Sequence, residues 1–297
     1  MGDDAAILNF GDKDVLVTTD LLLEGIHFDL RYVPLKHLGY KAAIVNFSDV
    51  YAMNGTPRQI TVSLGVSSRF TVEHLEALYS GIRLACESYG VDLVGGDTSA
   101  SVTGLVISIT CIGDSNKEDV VTRTGAKPTD IICVSGDLGA AFMGLQLLER
   151  ENRISAGQKD FQPDFAGKEY ILERQLKPEA RRDIVEALRK EGIKPTSMID
   201  VSDGLSSELL HICKESGVGC RVYEDKIPID YQTAMNGGED YELLFTVPLT
   251  DHEKIEKMKG VNMIGYITKP ELGAALVSRD GNEMEIKAQG WNAFNKV

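Results

Sequence analysis

Six short stretches of this 297-residue chain each set a carboxylate among apolar or glycine-rich neighbours, and any fold it adopts must find a place for them. They are Gly2-Asp3-Asp4-Ala5, Thr18-Thr19-Asp20-Leu21, Phe47-Ser48-Asp49-Val50, Gly95-Gly96-Asp97-Thr98, Ile199-Asp200-Val201-Ser202-Asp203-Gly204 and Gly237-Gly238-Glu239-Asp240-Tyr241. An unpaired carboxylate is costly to bury, so repeated acids at the ends of apolar segments point to a gathered positive charge, most simply divalent metal. The third stretch makes this geometric. Leu38, Ala42, Val45, Asp49 and Ala52 fall on one face at about 100° per residue, which puts Asp49 in the middle of an apolar helical stripe.

Periodicity organises the rest. Strand-like runs at 15–23, 59–66 and 105–112 alternate with helical patterns at 35–53 and 71–89, one α/β unit. The polar stretch 113–119 reads as a separator, giving an N-terminal domain over 1–116 and a C-terminal domain over 117–297. In the second part, strands near 131–134, 221–223, 242–247, 263–267 and 275–277 mix with helices near 140–150, 180–191, 202–215 and 252–259. That order suggests α+β rather than a repeating βαβ sheet.

Charge and composition narrow the function. A net charge of -14 argues against broad attraction to nucleic acid or an anionic membrane surface. The N-terminus has no signal-peptide pattern and no apolar run is long enough to span a bilayer. The five cysteines show no CxxC spacing and read as reduced core thiols of a cytoplasmic protein.

Neither GxxxxGK[ST] nor GxGxxG occurs, so a nucleotide must be held by other means. Gly95-Gly96-Asp97-Thr98 follows the apolar run 91–94, where backbone amides can approach a phosphate and Asp97 can hold its metal; a tight turn alone would also explain the glycines. Ser202 and Asp203 sit near a helix N-terminus, where capping is the simpler account of either one. Asp200 belongs to the preceding apolar segment and escapes it. The candidate ligands are hard oxygens, with no Cys or His pair at zinc spacing, so magnesium is the natural metal.

Read together, the blocks GDDAA, TTDLLLEGIHF, YKAAIVNFSDVYAM, VGGDTS, TRTGAKPTD, IDVSDGL, GGEDYELLF and GWNAF make the chain resemble the thiamine-monophosphate kinase family, a branch of the aminoimidazole ribonucleotide synthetase superfamily. The resemblance implies a two-domain α/β (α+β) fold, homodimers formed through the N-terminal domain, and transfer of phosphate from ATP to thiamine monophosphate. Carried over by position, it implies that Asp4, Thr18, Thr19, Asp20, Asp49, Asp97, Asp200 and Asp203 hold magnesium. It places Tyr79, Gly96, Asp97, Arg123 and Ser202 at ATP, and His27, Glu239 and Trp291 at the thiamine substrate. It assigns the catalytic placing of the metal to Asp20, Asp49 and Asp97.

The chain starts at the first motif, where relatives carry a lead-in, and 228–237 is a shorter connection than is usual in the family. Thr129 stands where glycine is commoner. Rival readings are another ATP-using synthetase of the superfamily, acting on a purine, selenium or hydrogenase-maturation substrate, or a catalytically silent nucleotide-binding sensor. The terminal GWNAF and the Gly237-Gly238-Glu239 block favour the thiamine branch.

Overall fold

The computed structural model of the chain describes residues 2–155, 165–228 and 231–288. Two strands open it as a hairpin: β1 (Ala6–Phe10) and β2 (Lys13–Leu23) are joined by Gly11 and Asp12, with Phe10 opposite Lys13. A two-residue turn needs left-handed backbone, and Gly11 supplies it at φ 78°. With β3 (Thr56–Val66), β4 (Asp92–Ala100) and β5 (Leu105–Asn116) the hairpin forms a five-stranded sheet ordered β1-β2-β5-β3-β4, antiparallel except at β3–β4.

Contrary to the separator expected at 113–119, β5 continues to Asn116. Its polar end is satisfied across the strands, with Asp114 accepting from Lys13 Nζ at 2.7 Å and from Arg58 Nε at 2.8 Å.

Two 18-residue helices, α1 (Leu35–Ala52) and α2 (Val72–Tyr89), cover one face of this sheet. They cross closely because each presents a glycine: a Cβ on Gly39 would lie 2.0 Å from the Leu78 carbonyl oxygen, and one on Gly81 1.8 Å from that of Lys36. Fourteen residues of α1 are buried, which a helix lying against only one surface would not show.

Its other neighbour is the second sheet, of seven strands in the order β12-β11-β8-β10-β6-β9-β7. These strands are β6 (Ile131–Ser135), β7 (Ser197–Asp200), β8 (Gly219–Tyr223), β9 (Leu243–Val247), β10 (Val261–Thr268), β11 (Ala274–Val277) and β12 (Glu283–Glu285). Only β8–β11 runs parallel, so this part is α+β as expected.

Helices α3 (Ala140–Ser155), α4 (Glu169–Leu176), α5 (Arg182–Lys190), α6 (Leu205–Ser216), α7 (Tyr231–Asn236) and α8 (His252–Glu256) are the remaining α-helices among the described residues. The helix expected from 202 starts at Leu205, because Gly204 takes φ 103° and turns the backbone first. Periodicity did not indicate α4 and α7, which have eight and six residues, too few to repeat a pattern.

One apolar core runs from the first sheet through α1 and α2 to Cys133, Met198 and Phe245 of the second sheet. A second core lies on that sheet's far face, under α6. The layers therefore press α1 and the end of β7 together, and both carry acids there.

Candidate functional site

Strand alternation sorts the residues of β2. Leu16, Thr18, Asp20 and Leu22 face α1, while Thr19 and Leu21 face the open side of the sheet. Thr18 Oγ1 donates to Asp49 Oδ2 at 2.5 Å, and Ser48 Oγ donates to Asp200 Oδ2 at 2.5 Å, so two adjacent α1 residues bind to the two sheets. The Asp20 backbone N–H donates to Asn46 Oδ1 at 3.2 Å. From the N-terminus comes Asp4, whose Oδ1 accepts from an Arg123 guanidinium nitrogen at 2.8 Å; the Arg123 backbone N–H donates to Asp3 Oδ1 at 2.9 Å.

The loop after β7 is shaped from two sides. Glu208, on the first turn of α6, accepts the Asp203 N–H at 3.0 Å. The Ser202 carbonyl accepts the Glu239 N–H at 2.8 Å, and that of Val201 accepts the Tyr241 N–H at 2.9 Å. Gly238 is required at this junction, since a Cβ there would lie 2.3 Å from the Ser202 oxygen. The rest of the Glu239 block has structural duties. Asp240 accepts the Gly139 and Ala141 N–H groups at the start of α3, and Glu242 is held between Arg174 and Arg181.

Asp4, Asp49 and Asp200 each offer one carboxylate oxygen within 4.8 Å of the others. Burial pushes Asp49 and Asp200 well above the usual carboxylate range; the charge of Asp200 adds to it for Asp49, and that of Asp4 for Asp200. Burial likewise raises Asp4, against the pull of Arg123, lifts Asp20 to about 6 and Glu208 to about 8, and raises Asp203. The second oxygen of Asp4 is buried and has no hydrogen-bond partner. Hard oxygens in excess of the nearby positive charge, one of them orphaned, fit a divalent ion of the magnesium class.

These shifts set a test in metal-free protein. The folded state holds protons on Asp20 and Glu208 that the unfolded chain releases near their ordinary values of 3.8 and 4.5. Stability is thus greatest at acid pH and falls as pH rises from about 4 to about 8, by up to roughly 1.4 kcal/mol per unit for each such group. Calorimetry in chelator should show a melting temperature lower at pH 8 than at pH 5, with magnesium restoring it at pH 8. A melting temperature that rises with pH in chelator refutes the crowded cluster.

Of the residues picked from sequence, Asp4, Thr18, Asp20, Asp49 and Asp200 converge here, with Arg123, Ser202 and Asp203 alongside. Thr19 and Asp97 depart from the expected metal grouping. The Thr19 hydroxyl is on the opposite face, donating to the Ile109 carbonyl at 3.2 Å, so only its backbone borders the cluster. Asp97 is exposed and in register with Ser63, Ser108 and Leu21 on the open face. Three strand spacings separate β4 from β2, about 14 Å.

With Tyr79 and Gly96, Asp97 lines a different, open pocket of about 500 Å³. His27 and Glu239 lie near each other at another corner, where burial lowers the His27 pKa against the carboxylate's pull. Trp291 lies outside the described residues.

Ser48, Glu208 and Lys41 were missed. Lys41 left a readable signal, a lysine four residues before Val45 and beside the apolar stripe that carries Asp49; Ser48 and Glu208 look like ordinary helix residues.

Two family models match the chain: AIR synthase related protein, N-terminal domain, over residues 2–114, and the C-terminal domain of the same family over 127–277. The chain is 32% identical to a protein of Bacillus subtilis named thiamine-monophosphate kinase, covering 99% of this chain and 93% of the relative. It is 34% identical to the protein of that name from Aquifex aeolicus, covering 99% and 92%. Among solved structures, AaThiL complexed with AMPPCP and TMP superposes with a TM-score of 0.85 at 33% identity, over 99% of this chain and 92% of that one.

Proposed function

The chain belongs to the thiamine-monophosphate kinases of the AIR synthase related family, and on that premise we propose that its acidic cleft holds magnesium where ATP and thiamine monophosphate meet. The activity is ATP-dependent phosphorylation of thiamine monophosphate to thiamine diphosphate. The convergence of Asp4, Asp49 and Asp200 around a buried, unpartnered oxygen carries the reading of where this happens.

The acceptor supplies its own nucleophile. A phosphate monoester has its second pKa near 6 and is mostly dianionic at neutral pH, so no general base is needed for direct in-line transfer. The barrier is repulsion between that dianion and the triphosphate. Asp4, Asp49 and Asp200 would hold magnesium, more than one ion with Asp20 and Asp203, whose charge would offset that of both anions.

The chain's residues do the placing. Thr18 and Ser48 fix the rotamers of Asp49 and Asp200 through their hydroxyl bonds. Asp20 and Asp203 extend the ligand set, and the Thr19 backbone borders it. Arg123 faces the nucleotide phosphates with Ser202. His27, Glu239 and Trp291 receive the thiamine side.

Asp97, Gly96 and Tyr79 serve the same chemistry from a second copy of the chain. Both edge strands of the first sheet are open, with Ile7, Leu8 and Phe10 on β1 and Val94 on β4 exposed at 42%, 43%, 69% and 53%. Unpaired apolar edges favour association, and a homodimer through this domain carries the Asp97 pocket of one copy to the acid cluster of the other. No helix among the described residues is long and apolar enough to cross a membrane. Five free, buried cysteines and the use of ATP fit a cytoplasmic enzyme acting on small molecules rather than nucleic acid.

Single-turnover incubation with γ-labelled ATP and thiamine monophosphate tests the reading. Label should move to thiamine diphosphate, stop on chelation and resume with magnesium but not zinc. Label that stays on ATP identifies a silent binder, and transfer that survives thorough chelation removes the metal from the scheme.

A further inference from the structure

About two turns of α1 away from Asp49 lies a buried cation that no step above employs. Lys41, on α1, is 6% exposed, and its Nζ lies 3.0 Å from Glu239 Oε2 and 3.1 Å from the Gln175 carbonyl oxygen. Gln175, at the end of α4, is 4% exposed and donates through Nε2 to that same Glu239 Oε2 at 2.9 Å. Desolvating a lysine is costly, and a surface pair elsewhere would bring the two layers together at less cost. What this pair secures is the direction of one carboxylate.

The backbone points the same way. Glu239 has φ 67°, a left-handed conformation that a residue with a Cβ seldom takes, and its N–H is tied to Ser202 beside the cluster. Both donors end on Oε2 while the side chain keeps 29% of its surface open, which leaves Oε1 to meet a ligand.

The substrate's chemistry decides what that ligand group is. A carboxylate repels the phosphate and needs a donor. Thiamine monophosphate carries one neutral N–H donor, the exocyclic amine of its pyrimidine; the thiazolium is a cation without an N–H. We propose that Lys41 is a positioning residue which, with Gln175, aims the Glu239 carboxylate at the amine of the aminopyrimidine, so that these three residues select amino- over oxo-pyrimidine substrates. The inference rests on thiamine monophosphate being the acceptor and on Glu239 facing it.

Steady-state kinetics on the full-length enzyme with thiamine monophosphate and oxythiamine monophosphate, in which a carbonyl replaces the amine, separates the possibilities. The wild type should prefer the amine-bearing substrate in kcat/KM by about tenfold or more, the scale of a charged hydrogen bond in a partly open site. In Lys41→Met the KM for thiamine monophosphate should rise about tenfold and the preference collapse, while the KM for ATP stays within about twofold. Lys41→Arg should recover part of the preference.

An unchanged preference in a folded Lys41→Met enzyme overturns the proposal. So does an equal loss on both substrates, which would mean that Lys41 holds the phosphate or that Glu239 faces the thiazolium. Gln175→Met, which removes the other donor to the same oxygen, gives a second reading should Lys41→Met not fold: a lowered preference supports the proposal and an intact one defeats it. Wild-type enzyme that phosphorylates neither compound instead defeats the kinase reading, and this inference with it.

Discussion

Replacing Asp49 by asparagine lowers phosphoryl transfer by about a thousandfold or more while the metal-free protein melts no lower than wild type. The two halves of this expectation have one cause. The substituted amide keeps the shape of the side chain and still offers Thr18 an acceptor, so packing along α1 is undisturbed. What disappears is a charge that burial and the neighbouring Asp200, Asp20 and Asp4 all disfavour. Without metal that loss relieves the fold; with metal it removes a ligand. The stabilisation conferred by magnesium should shrink in the variant, because a ligand stabilises the folded state only as far as it binds. Thermal melting with and without magnesium, beside an initial-rate assay, reads both halves. Turnover within tenfold of wild type refutes the assignment, and a large drop in metal-free melting temperature would make Asp49 a packing residue.

How much of this was legible in the sequence depended on the range of the interaction. The stripe through Leu38, Val45 and Asp49 is a local pattern, and helical periodicity alone is enough to put a carboxylate on its buried face. Gly11-Asp12 was equally local, a two-residue hairpin signal between Phe10 and Lys13, yet β1 went unread because Ala6–Phe10 lacks clean alternation. The polar end of β5 reads as a loop in sequence because the partners that satisfy Asp114 across the sheet, Lys13 and Arg58, lie 101 and 56 residues away.

Glu208 resembles any capping glutamate in the first turn of a helix; only its burial, which the local sequence does not show, sets it apart. Asp240 and Glu242 are similar. Their partners lie 61 to 107 residues distant, so the Glu239 block carries more acids than the site requires with no local reason visible. Motif reading also grouped Asp97 with the other acids by chemistry alone. Which face of the sheet it occupies follows from strand register, and register is set by pairing partners that the motif does not contain.

That separation yields the other large effect. If Asp97 served its own chain, it would have to act from the open face, about 14 Å across the sheet from Asp20. If it serves a partner copy, Asp49→Asn and Asp97→Asn each inactivate the homodimer, yet damage different halves of every site. A mixed dimer then contains one site with both defects and one with neither, built from the intact acid cluster of one chain and the intact Asp97 of the other. Free exchange makes half the dimers mixed, so co-expression of the two inactive variants should restore about a quarter of wild-type activity. Differential tags that isolate the mixed dimer should raise that to about half per dimer, with magnesium dependence unchanged. A mixture as inactive as its parents would place Asp97 in the same chain as its cluster or outside the chemistry, and would leave the two open edges of the first sheet without the part assigned to them.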